Sequence, residues 1–288
     1  MNRALLALVA FFVVGSAFGQ PPEPAKIRIT TWNLEWFPNG SAKDAPLEVQ
    51  AQRVTAAADV LKKLDPDILL LQEMRDYDAC ARLGEAIHPR AYQVAICSAF
   101  KGGKQQEAIL AKIPAQAAWS ESWKSREGID PPRGFAFAWF KIGNADIGVY
   151  SLHLKSNLIT HGDKETETAK NIRKREVSVQ QLLVHVHDVI ERVIPSIKAL
   201  IIGGDFNTNH DQGMFAAEKT LDTITSSAYQ SVFEGISFEQ RITHPGSHGF
   251  PDATFDYLFG KNVRIGKAVI TQTNASDHLP VSCDVIIQ

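Results

Sequence analysis

The 288-residue chain has little cysteine, no excess of positive charge and, beyond its first nineteen residues, no apolar run long enough to cross a bilayer. Its three cysteines show no Cys-x-x-Cys spacing, which excludes the common cysteine-based zinc sites. Basic and acidic residues number 30 and 32, so a broad basic surface for nucleic acid is absent overall. Repeats, low-complexity tracts and linkers are missing between residues 26 and 288. One globular domain with an ordinary core remains.

The first nineteen residues have the pattern of a secretory signal peptide. Arg3 supplies a positive start, residues 4–14 are apolar, and residues 17–19 (Ala-Phe-Gly) offer small side chains for cleavage. The apolar run is too short to span a bilayer, and the alternative is an uncleaved membrane anchor. We therefore expect a secreted or periplasmic protein that begins near Gln20 with an extended segment over residues 20–25. No stable membrane association is expected after cleavage.

The presumed mature chain carries 29 basic and 32 acidic residues, a net charge of -3. A local basic cluster exists nonetheless, and its pattern favours a solvated helix face over a nucleic-acid contact; its members are Lys170, Arg173, Lys174 and Arg175.

The three cysteines have different expected environments. An exported protein can form disulfides, and Cys80 with Cys97 is the favoured pair. Cys283 alternates with the apolar residues Val281 and Val285, which predicts that it points into the core.

Strand patterns and helix patterns alternate along the chain. Helical spacing of apolar residues marks residues 54–64 and 179–193, which are ended by Pro66 and Pro195. A hairpin is predicted about Gly143 and the residue that follows it. Apolar runs predict strands over residues 26–33, 68–71, 107–110, 135–140, 146–154, 199–202, 255–259 and 281–287. The pattern is typical of a single α/β domain, residues 26–288, in which helices cover a mixed β core.

Polar side chains follow two of these apolar runs directly. Glu73 comes after residues 68–72 (Ile-Leu-Leu-Leu-Gln), where a buried strand reaches the surface. Such a carboxylate suits a hard cation such as Mg²⁺, which prefers oxygen ligands, although an exposed loop acid fits the pattern equally well. Asn33 ends the first strand in the same manner, and its carboxamide is suited to a metal-bound water or a phosphate oxygen.

Residues 203–207 (Gly-Gly-Asp-Phe-Asn) form a more specific motif. The glycines allow a close backbone approach. In an extended segment Asp205 and Asn207 would point to the same side, so that an acceptor and a donor face one substrate. Asp205 could orient a water molecule while Asn207 donates to a phosphate. The alternative is an ordinary Asp/Asn turn after a strand.

Two histidines complete the set of candidate catalytic residues. His153 ends a predicted strand and is a candidate general acid or phosphate donor, with Lys155 expected on the same side. Asp256 lies inside a predicted strand, where an unpaired charge is costly, so we expect it to hydrogen bond to His278. Asp277, beside His278, could bind a metal or a water molecule.

Several other polar and aromatic residues have weaker patterns. Arg133, at the start of the hairpin, fits a phosphate contact and a turn residue equally well. Trp119 and Trp123 could stack on a base, but partly buried packing is favoured. The histidines in loops are expected on the surface or beside the substrate: His161, His210, His244 and His248. A structural role is favoured for the two on the second helix, His185 and His187.

Taken in this order, the motifs resemble those of the endonuclease/exonuclease/phosphatase superfamily, which includes pancreatic-type deoxyribonucleases, abasic-site endonucleases, neutral sphingomyelinases and inositol polyphosphate 5-phosphatases. The resemblance spans residues 27–287. Its most specific parts are residues 203–207 and residues 276–280 (Ser-Asp-His-Leu-Pro). Residues 107–114 match a further family segment, with Ala111 in place of the usual serine. The resemblance implies a four-layer sandwich in which two stacked mixed β-sheets are flanked by helices.

The resemblance also implies a metal centre. Glu73 would be the principal ligand, assisted by Asn33, and Asp277 would be a second-site ligand or a water holder. Asp205 and Asn207 would position the water and the phosphate. The expected metal is Mg²⁺, with Mn²⁺ and Ca²⁺ as alternatives, and both one-metal and two-metal arrangements stay open.

Two further implications concern the histidines. Asp256 would orient His278. His153 resembles the histidine of deoxyribonuclease-like members, where abasic-site enzymes carry a tyrosine. This favours a deoxyribonuclease-like arrangement over DNA repair, as does the expected signal peptide.

The predicted function is that of a secreted, divalent-metal-dependent phosphodiesterase, most specifically an endonuclease on DNA or RNA, with no obligate protein partner. A sphingomyelinase-like enzyme is the first alternative and would need an exposed apolar loop, for which residues 236–238 and 249–251 are candidates. A phosphatase of small phosphate esters is another. A catalytically silent binding module on the same fold is disfavoured, because every position needed for the chemistry is filled.

Overall fold

The computed structural model of the chain describes residues 25–287 except residues 90, 102 and 248. The predicted signal peptide and most of the extended segment after it lie outside the described residues. Among the residues described, no helix is both long and apolar enough to cross a membrane.

The strands form two sheets. In chain order they are β1 (Ala25–Phe37), β2 (Ile68–Met74), β3 (Gln93–Cys97), β4 (Gln106–Ala111), β5 (Ala117–Ser122), β6 (Gly134–Ile142), β7 (Ala145–His153), β8 (Ile197–Asp205), β9 (Gln230–Ser231), β10 (Asp256–Lys261), β11 (Arg264–Ile265), β12 (Val269–Ile270) and β13 (Val281–Ile287). One sheet has the order β11-β13-β1-β2-β4-β3, with β12 on β13, and the other has the order β5-β6-β7-β8-β10-β9. β1 is parallel to β2, and β7 is parallel to β8, while the other pairs are antiparallel. Both sheets are therefore mixed, as the resemblance implies.

Strand β2 shows why the sheets stack. Ile68 and Leu70 point into the core between the two sheets, and Leu69 and Leu71 point to the opposite face, toward helices. A strand that is buried on both faces has a continuous apolar sequence, which explains the Ile-Leu-Leu-Leu run. The core between the sheets also holds large aromatic side chains such as Phe137.

Helices cover the outer faces. They are α1 (Leu47–Leu64), α2 (Tyr77–Ala86), α3 (Lys164–His185) and α4 (Thr220–Thr225). The side chains of Asp76 and Asp163 accept hydrogen bonds from backbone N–H groups in the first turns of α2 and α3. Helices α1 and α2 pack on the β1–β4 sheet. The predicted four-layer arrangement of two mixed sheets flanked by helices is confirmed.

The second predicted helix is not an α-helix along its whole length, so its buried face departs from the apolar spacing of the sequence. It begins at Lys164, and after His185 the chain continues as a π-helix, Val186–Glu191. A π-helix has more residues per turn than an α-helix, so the apolar face drifts. Val193, which the spacing places on the buried face, is 71% exposed for this reason.

The cysteines are free thiols in the structure. Cys80 on α2 and Cys97 on β3 lie side by side, as the favoured pairing requires, but they hydrogen bond as thiols and form no disulfide. This contact and burial raise the pKa of Cys80. Cys283 points into the core, as predicted.

Candidate active site

The candidate residues converge where both sheets end at one rim. In one sheet, His153 of β7 lies beside Asp205 of β8, and Asp205 lies opposite Asp256 of β10. In the other sheet, Asn33 of β1 is in register with the residue preceding Glu73 on β2. Each strand ends or begins at this rim, so the side chains of the two sheets face one another.

The segment that carries His278 is anchored to β1. The indole Nε1 of Trp32 donates to the backbone oxygen of His278 at 2.9 Å, and the hydroxyl of Ser276 donates to the backbone oxygen of Asn33 at 2.8 Å. Trp32 is completely buried. The imidazole therefore has a fixed position relative to the end of β1.

Asn33 links the two sheets directly. Its Nδ2 donates to Oε1 of Glu73 at 3.2 Å and to Oδ2 of Asp205 at 3.0 Å. Its Oδ1 accepts from the backbone N–H of Glu35 at 3.0 Å. In this orientation Asn33 positions two carboxylates with its amide hydrogens, and its oxygen is engaged by the backbone.

The turn around Glu73 has an unusual backbone. Glu35, Trp36 and Glu73 have φ values of 50°, 48° and 61°, which side-chain-bearing residues rarely adopt. In return, the backbone N–H of Trp36 donates to Oε2 of Glu73 at 2.9 Å. Such conformations cost of order 1–3 kcal/mol each and persist where the surrounding structure enforces them, typically at functional sites.

His278 and Asp256 form the predicted hydrogen bond, with Nδ1 and Oδ2 at 2.8 Å. Burial alone would lower the pKa of His278, but the charges of Asp256 and Asp205 outweigh it and raise that pKa to about 10. His278 is therefore a cation at neutral pH. Its other ring nitrogen, Nε2, lies 3.8 Å from Asp205.

His153 has the opposite character. Burial, aided by the charge of Arg133, lowers its pKa well below 6.5, so this imidazole is neutral at neutral pH. Its Nε2 lies 3.5 Å from Asp205 and 3.8 Å from Glu73. Facing two carboxylates, Nε2 carries the hydrogen of the neutral ring. Nδ1 is buried and, among the described residues, has no hydrogen-bond partner.

Asp205 lies at the centre of these groups, and Asn207 follows it in a turn. Burial raises the pKa of Asp205 to about 7 against the opposing charge of His278. Asn207 has a φ of 53° and donates its backbone N–H to Oδ1 of Asp205 at 2.9 Å. The predicted extended segment is thus wrong: the chain turns back on Asp205. The Nδ2 of Asn207 donates to the backbone oxygen of Leu154 at 3.2 Å.

Arg133 holds the end of β7 in place. Its Nε donates to the backbone oxygen of His153 at 2.9 Å, and its Nη2 donates to that of Leu154 at 2.7 Å. Glu107, completely buried, lies 3.6 Å from Nε, and burial raises its pKa to about 8. The guanidinium is occupied by these groups, so the geometry gives Arg133 a positioning role.

Lys155 and the residues after it lie in the loop beyond β7. The Nζ of Lys155 donates to the backbone oxygen of Ser156 at 2.9 Å. Because β7 ends at His153, the predicted same-side arrangement along a strand does not extend to Lys155.

The corner next to Glu73 is rich in carboxylates. Burial, followed by the charge of Asp277, raises the pKa of Glu35, and the charge of Glu73 adds to the effect. Arg53 is the cation that opposes it. Asp277 is 47% exposed at the mouth. The carboxylates of Asp277 and Glu73 both act on that of Glu35, and an acidic, accessible corner of this kind fits a hard divalent cation, which would be held by Glu73 and Asp277.

A buried ion pair supports the site from behind, and no pattern along the chain points to it. Arg175, predicted on a solvated helix face, is completely buried and donates Nε and Nη2 to Glu218 at 2.8 and 2.6 Å. That prediction is wrong because Glu218, distant in sequence, compensates the charge. Arg175 also donates to Oδ1 of Asn157 at 2.8 Å, and Nδ2 of Asn157 donates to the backbone oxygen of Asn207 at 2.7 Å.

The packing of the two tryptophans and of His185 follows the sequence prediction, whereas His187, for which the sequence pattern also favours a structural role, is exposed on the surface. Trp119 is partly buried and packs at a tilt against Phe137, with ring centroids 4.4 Å apart, and Trp123 is buried. His185 is buried and hydrogen bonds to the hydroxyl of Tyr150 at 2.9 Å. These residues are structural.

Comparison with known proteins places this architecture in context. The sequence model of the endonuclease/exonuclease/phosphatase family matches residues 30–278. A family protein from Leptotrichia buccalis shares 17% identity over 90% of this chain and 99% of its own, with a TM-score of 0.64. TDP2 from C. elegans shares 17% identity over 91% of this chain and 75% of its own, with a TM-score of 0.64. A family protein from Bacteroides thetaiotaomicron shares 15% identity over 92% and 99% of the two chains, with a TM-score of 0.65. No curated protein sequence matches.

Proposed function

Because the chain belongs to the endonuclease/exonuclease/phosphatase family of phosphoester hydrolases, we propose that it is a divalent-metal-dependent phosphodiesterase and, more specifically, an endonuclease on DNA or RNA. The observation that carries the proposal is one connected set of contacts across both sheets. Asn33 joins Glu73 to Asp205, and His278 lies between Asp205 and Asp256. The proposed cation site beside Glu73 and the acid–base groups around His278 thus lie at the same opening of the protein surface.

The metal site would be formed by Glu73 and Asp277, with Asn33 holding Glu73 in orientation. Mg²⁺ suits these oxygen donors, and Mn²⁺ or Ca²⁺ are alternatives. When bound, the cation supplies positive charge that offsets the charge developing on the phosphoryl oxygens.

The remaining steps are assigned from protonation states. Asp205, with a pKa near 7, accepts a proton from the water that attacks phosphorus in line. His278 is a cation whose Nε2 donates to a phosphate oxygen, while Asp256 holds its Nδ1. The neutral Nε2–H of His153 donates a hydrogen bond to the leaving oxygen, and the proton that this oxygen takes up comes from solvent water, because a neutral imidazole is too weak an acid to supply it. Asn207 and the backbone turn around it keep Asp205 aimed at the water.

A nucleic-acid substrate is favoured by the histidine at position 153, which resembles that of deoxyribonuclease-like members. The predicted signal peptide supports the proposal that this activity lies outside the cytoplasm, secreted or periplasmic. Attaching residues 1–30 to a reporter enzyme and measuring export would test the location, and retention of the reporter in the cytoplasm would refute it.

A lipid substrate is the second candidate, and one observation favours it. Phe250, in one of the two predicted apolar loops, is 65% exposed, and Met214 in a neighbouring loop is 43% exposed. Gln212 joins the two loops through the backbone oxygen of Asp252 at 3.3 Å. Exposed apolar tips on adjacent loops are suited to contact with a membrane surface.

Hydrolysis assays on the purified mature chain would test both candidates. Double-stranded DNA, single-stranded DNA, RNA, sphingomyelin and an inositol phosphate are each incubated with Mg²⁺ and with a chelator. Internal cleavage of DNA or RNA that requires the metal is the expected result. Cleavage of sphingomyelin alone would support the lipid candidate, cleavage of the inositol phosphate alone a phosphatase. Nucleic-acid binding without any turnover would support a silent binding module.

A further inference from the structure

A third histidine lies at the mouth of the site without a role in the proposed reaction. His244 precedes a loop whose two ends pair through the bridge between His244 and Ala253. Its ring packs against Phe255, with ring centroids 5.6 Å apart, and meets the ring of His278 edge-on at 4.8 Å. This packing places two imidazoles next to each other.

The exposed carboxylate of Asp277 completes the group. Its Oδ2 lies 3.9 Å from Nε2 of His244, and one ligand atom each from His244, Asp277 and His278 all lie within 4.8 Å of one another. Three ligand atoms around a tetrahedral zinc ion, each about 2.0–2.2 Å from it, are separated by roughly 3.4 Å. Small side-chain rotations of His244 and Asp277 would close the difference.

Two further observations distinguish this group from an ordinary polar cluster. Nδ1 of His278 is held by the buried carboxylate of Asp256 at 2.8 Å, the arrangement that usually supports a metal-binding histidine from its second nitrogen. Nε2 of His244 faces Asp277 at 3.9 Å and makes no hydrogen bond to the described residues, so this nitrogen is available to a metal, while the buried Nδ1 likewise has no partner among them.

A neighbouring group of Asp205, Asp256 and His278 is less suited to a metal. All three residues are buried, so the group has no open side for water, and the hydrogen bond between Asp256 and His278 already occupies Nδ1 of the imidazole and Oδ2 of the carboxylate. The group containing His244 instead opens to solvent through Asp277, which leaves room for water as a fourth ligand.

We propose that His244, Asp277 and His278 form a binding site for a transition metal such as Zn²⁺, separate from the Glu73 corner. Two imidazoles and one carboxylate are a common zinc ligand set with an open fourth position, whereas Mg²⁺ prefers oxygen ligands. Asp277 is shared between the two corners, so zinc would draw it away from Glu73. Zinc would also bind Nε2 of His278 in place of the proton carried there, and that proton would pass to solvent.

The consequence for activity is inhibition, and this part rests on the proposed function. An Nε2 bound to zinc has no hydrogen to donate to a phosphate oxygen. We therefore expect Zn²⁺ to inhibit the Mg²⁺-dependent reaction through His244, a residue that the reaction itself does not use.

Binding is measured first, and without substrate. The protein is first freed of bound metals and then saturated with Mg²⁺. Wild type, His244→Gln and His210→Gln are each titrated with ZnCl₂ by calorimetry. His210 is the matched control, because its Nε2 lies 3.8 Å from the exposed Asp222 but no second imidazole of the described residues lies beside it. We expect His244→Gln to weaken zinc binding by about 10- to 100-fold or more and His210→Gln to leave it unchanged.

Thermal unfolding tests whether the His244→Gln substitution itself destabilises the protein. Zinc should raise the Tm of wild type and of His210→Gln but not that of His244→Gln, whose Tm without zinc should match wild type. Equal zinc binding in wild type and His244→Gln, or no zinc binding beyond the Mg²⁺ site in wild type, would overturn the proposal.

Inhibition is measured second, as the ratio of each protein's rate with and without Zn²⁺. Loss of inhibition in His244→Gln alone is the expected result. If the protein binds zinc through His244 but hydrolyses no phosphate ester, the metal site stands and the proposed function fails. If the protein hydrolyses phosphate esters but does not bind zinc through His244, the proposed function stands and the metal site fails.

Discussion

Asp256 contacts His278 at 2.8 Å inside the protein, while Asp188 contacts His187 at the same distance on its surface. The two pairs use the same atoms of the imidazole, Nδ1, and a carboxylate oxygen. They differ in burial, since the Asp256 side chain is completely buried and that of Asp188 is half exposed. Electrostatic interactions are stronger away from water, and in the buried pair the charge of Asp256 raises the pKa of His278.

The first prediction uses this pair. Asp256→Asn keeps the size of the side chain but removes the charge that raises the pKa of His278 toward 10. The cationic form of His278 is then lost at lower pH. We expect kcat to fall by about 10²- to 10⁴-fold and the alkaline limit of the pH–rate profile to move to lower pH. Asp188→Asn is the matched control and should change neither quantity.

The outcome that would contradict this assignment is a lowered kcat with an unmoved alkaline limit. In that case Asp256 would act through packing alone.

The linked effect on stability has a defined sign: the raised pKa of His278 stabilises the folded protein fully below about pH 6.5, and this contribution disappears as the pH rises to about 10.

The second prediction concerns the metal corner. Glu73→Gln retains the hydrogen-bond acceptor for the backbone of Trp36 but loses the negative charge that attracts a cation. We expect the Mg²⁺ concentration for half-maximal activity to rise by about 10- to 100-fold or more. Glu234→Gln, at an exposed position, is the control. An unchanged Mg²⁺ dependence in Glu73→Gln would remove Glu73 from the metal site.

The third prediction concerns Glu107. Burial raises its pKa from 4.5 in the unfolded chain to about 8 in the folded protein. Between these values the unfolded chain has released a proton that the folded protein retains, so stability falls as the pH rises. Glu107→Gln removes this loss. The free energy of unfolding of the variant, relative to wild type, should therefore increase from pH 4.5 to pH 8.

Denaturant titrations across this pH range would measure the difference. Glu127→Gln, at an exposed position, should run parallel to wild type. A constant difference between Glu107→Gln and wild type would mean that Arg133 keeps the Glu107 carboxylate ionised throughout.

The fourth prediction concerns the contribution of the buried pair of Arg175 and Glu218 to the stability of the fold. Arg175→Met leaves Glu218 as a buried, uncompensated charge, which should lower the free energy of unfolding by about 3–5 kcal/mol. Arg173→Met, at a partly exposed pair, should cost less than about 1 kcal/mol.

Asn157→Asp tests the link to the site. It retains the acceptor for Arg175 but loses the donor to the backbone of Asn207. We expect a normal Tm with a reduced kcat. A normal kcat would show that the Asn207 turn is held without Asn157.

The sequence predicted those features that have a local signature. Glu73 could be placed because a run of four apolar residues ends just before it, and the Asp256–His278 contact could be predicted because a carboxylate inside a strand requires a partner. The burial of Arg175 could not be predicted, since its partner Glu218 lies 43 residues away and has no pattern that points to it.

Backbone conformation was the other gap. The left-handed residue Asn207 sits in a motif whose spacing suggests an extended strand end, and only the contacts of the folded protein decide between the two. The position of His244 beside His278 likewise depends on packing against Phe255, which no spacing along the chain reveals.

The division of the site between two sheets has a consequence for when activity arises. Glu73 belongs to one sheet and Asp205 to the other, and the Asn33 amide joins them at the rim. A chain in which each sheet had formed but the two had not yet docked would contain every proposed catalytic side chain and still be inert. The hydrolysis proposed for this chain would therefore require that the two sheets have docked, because neither sheet alone holds the complete site.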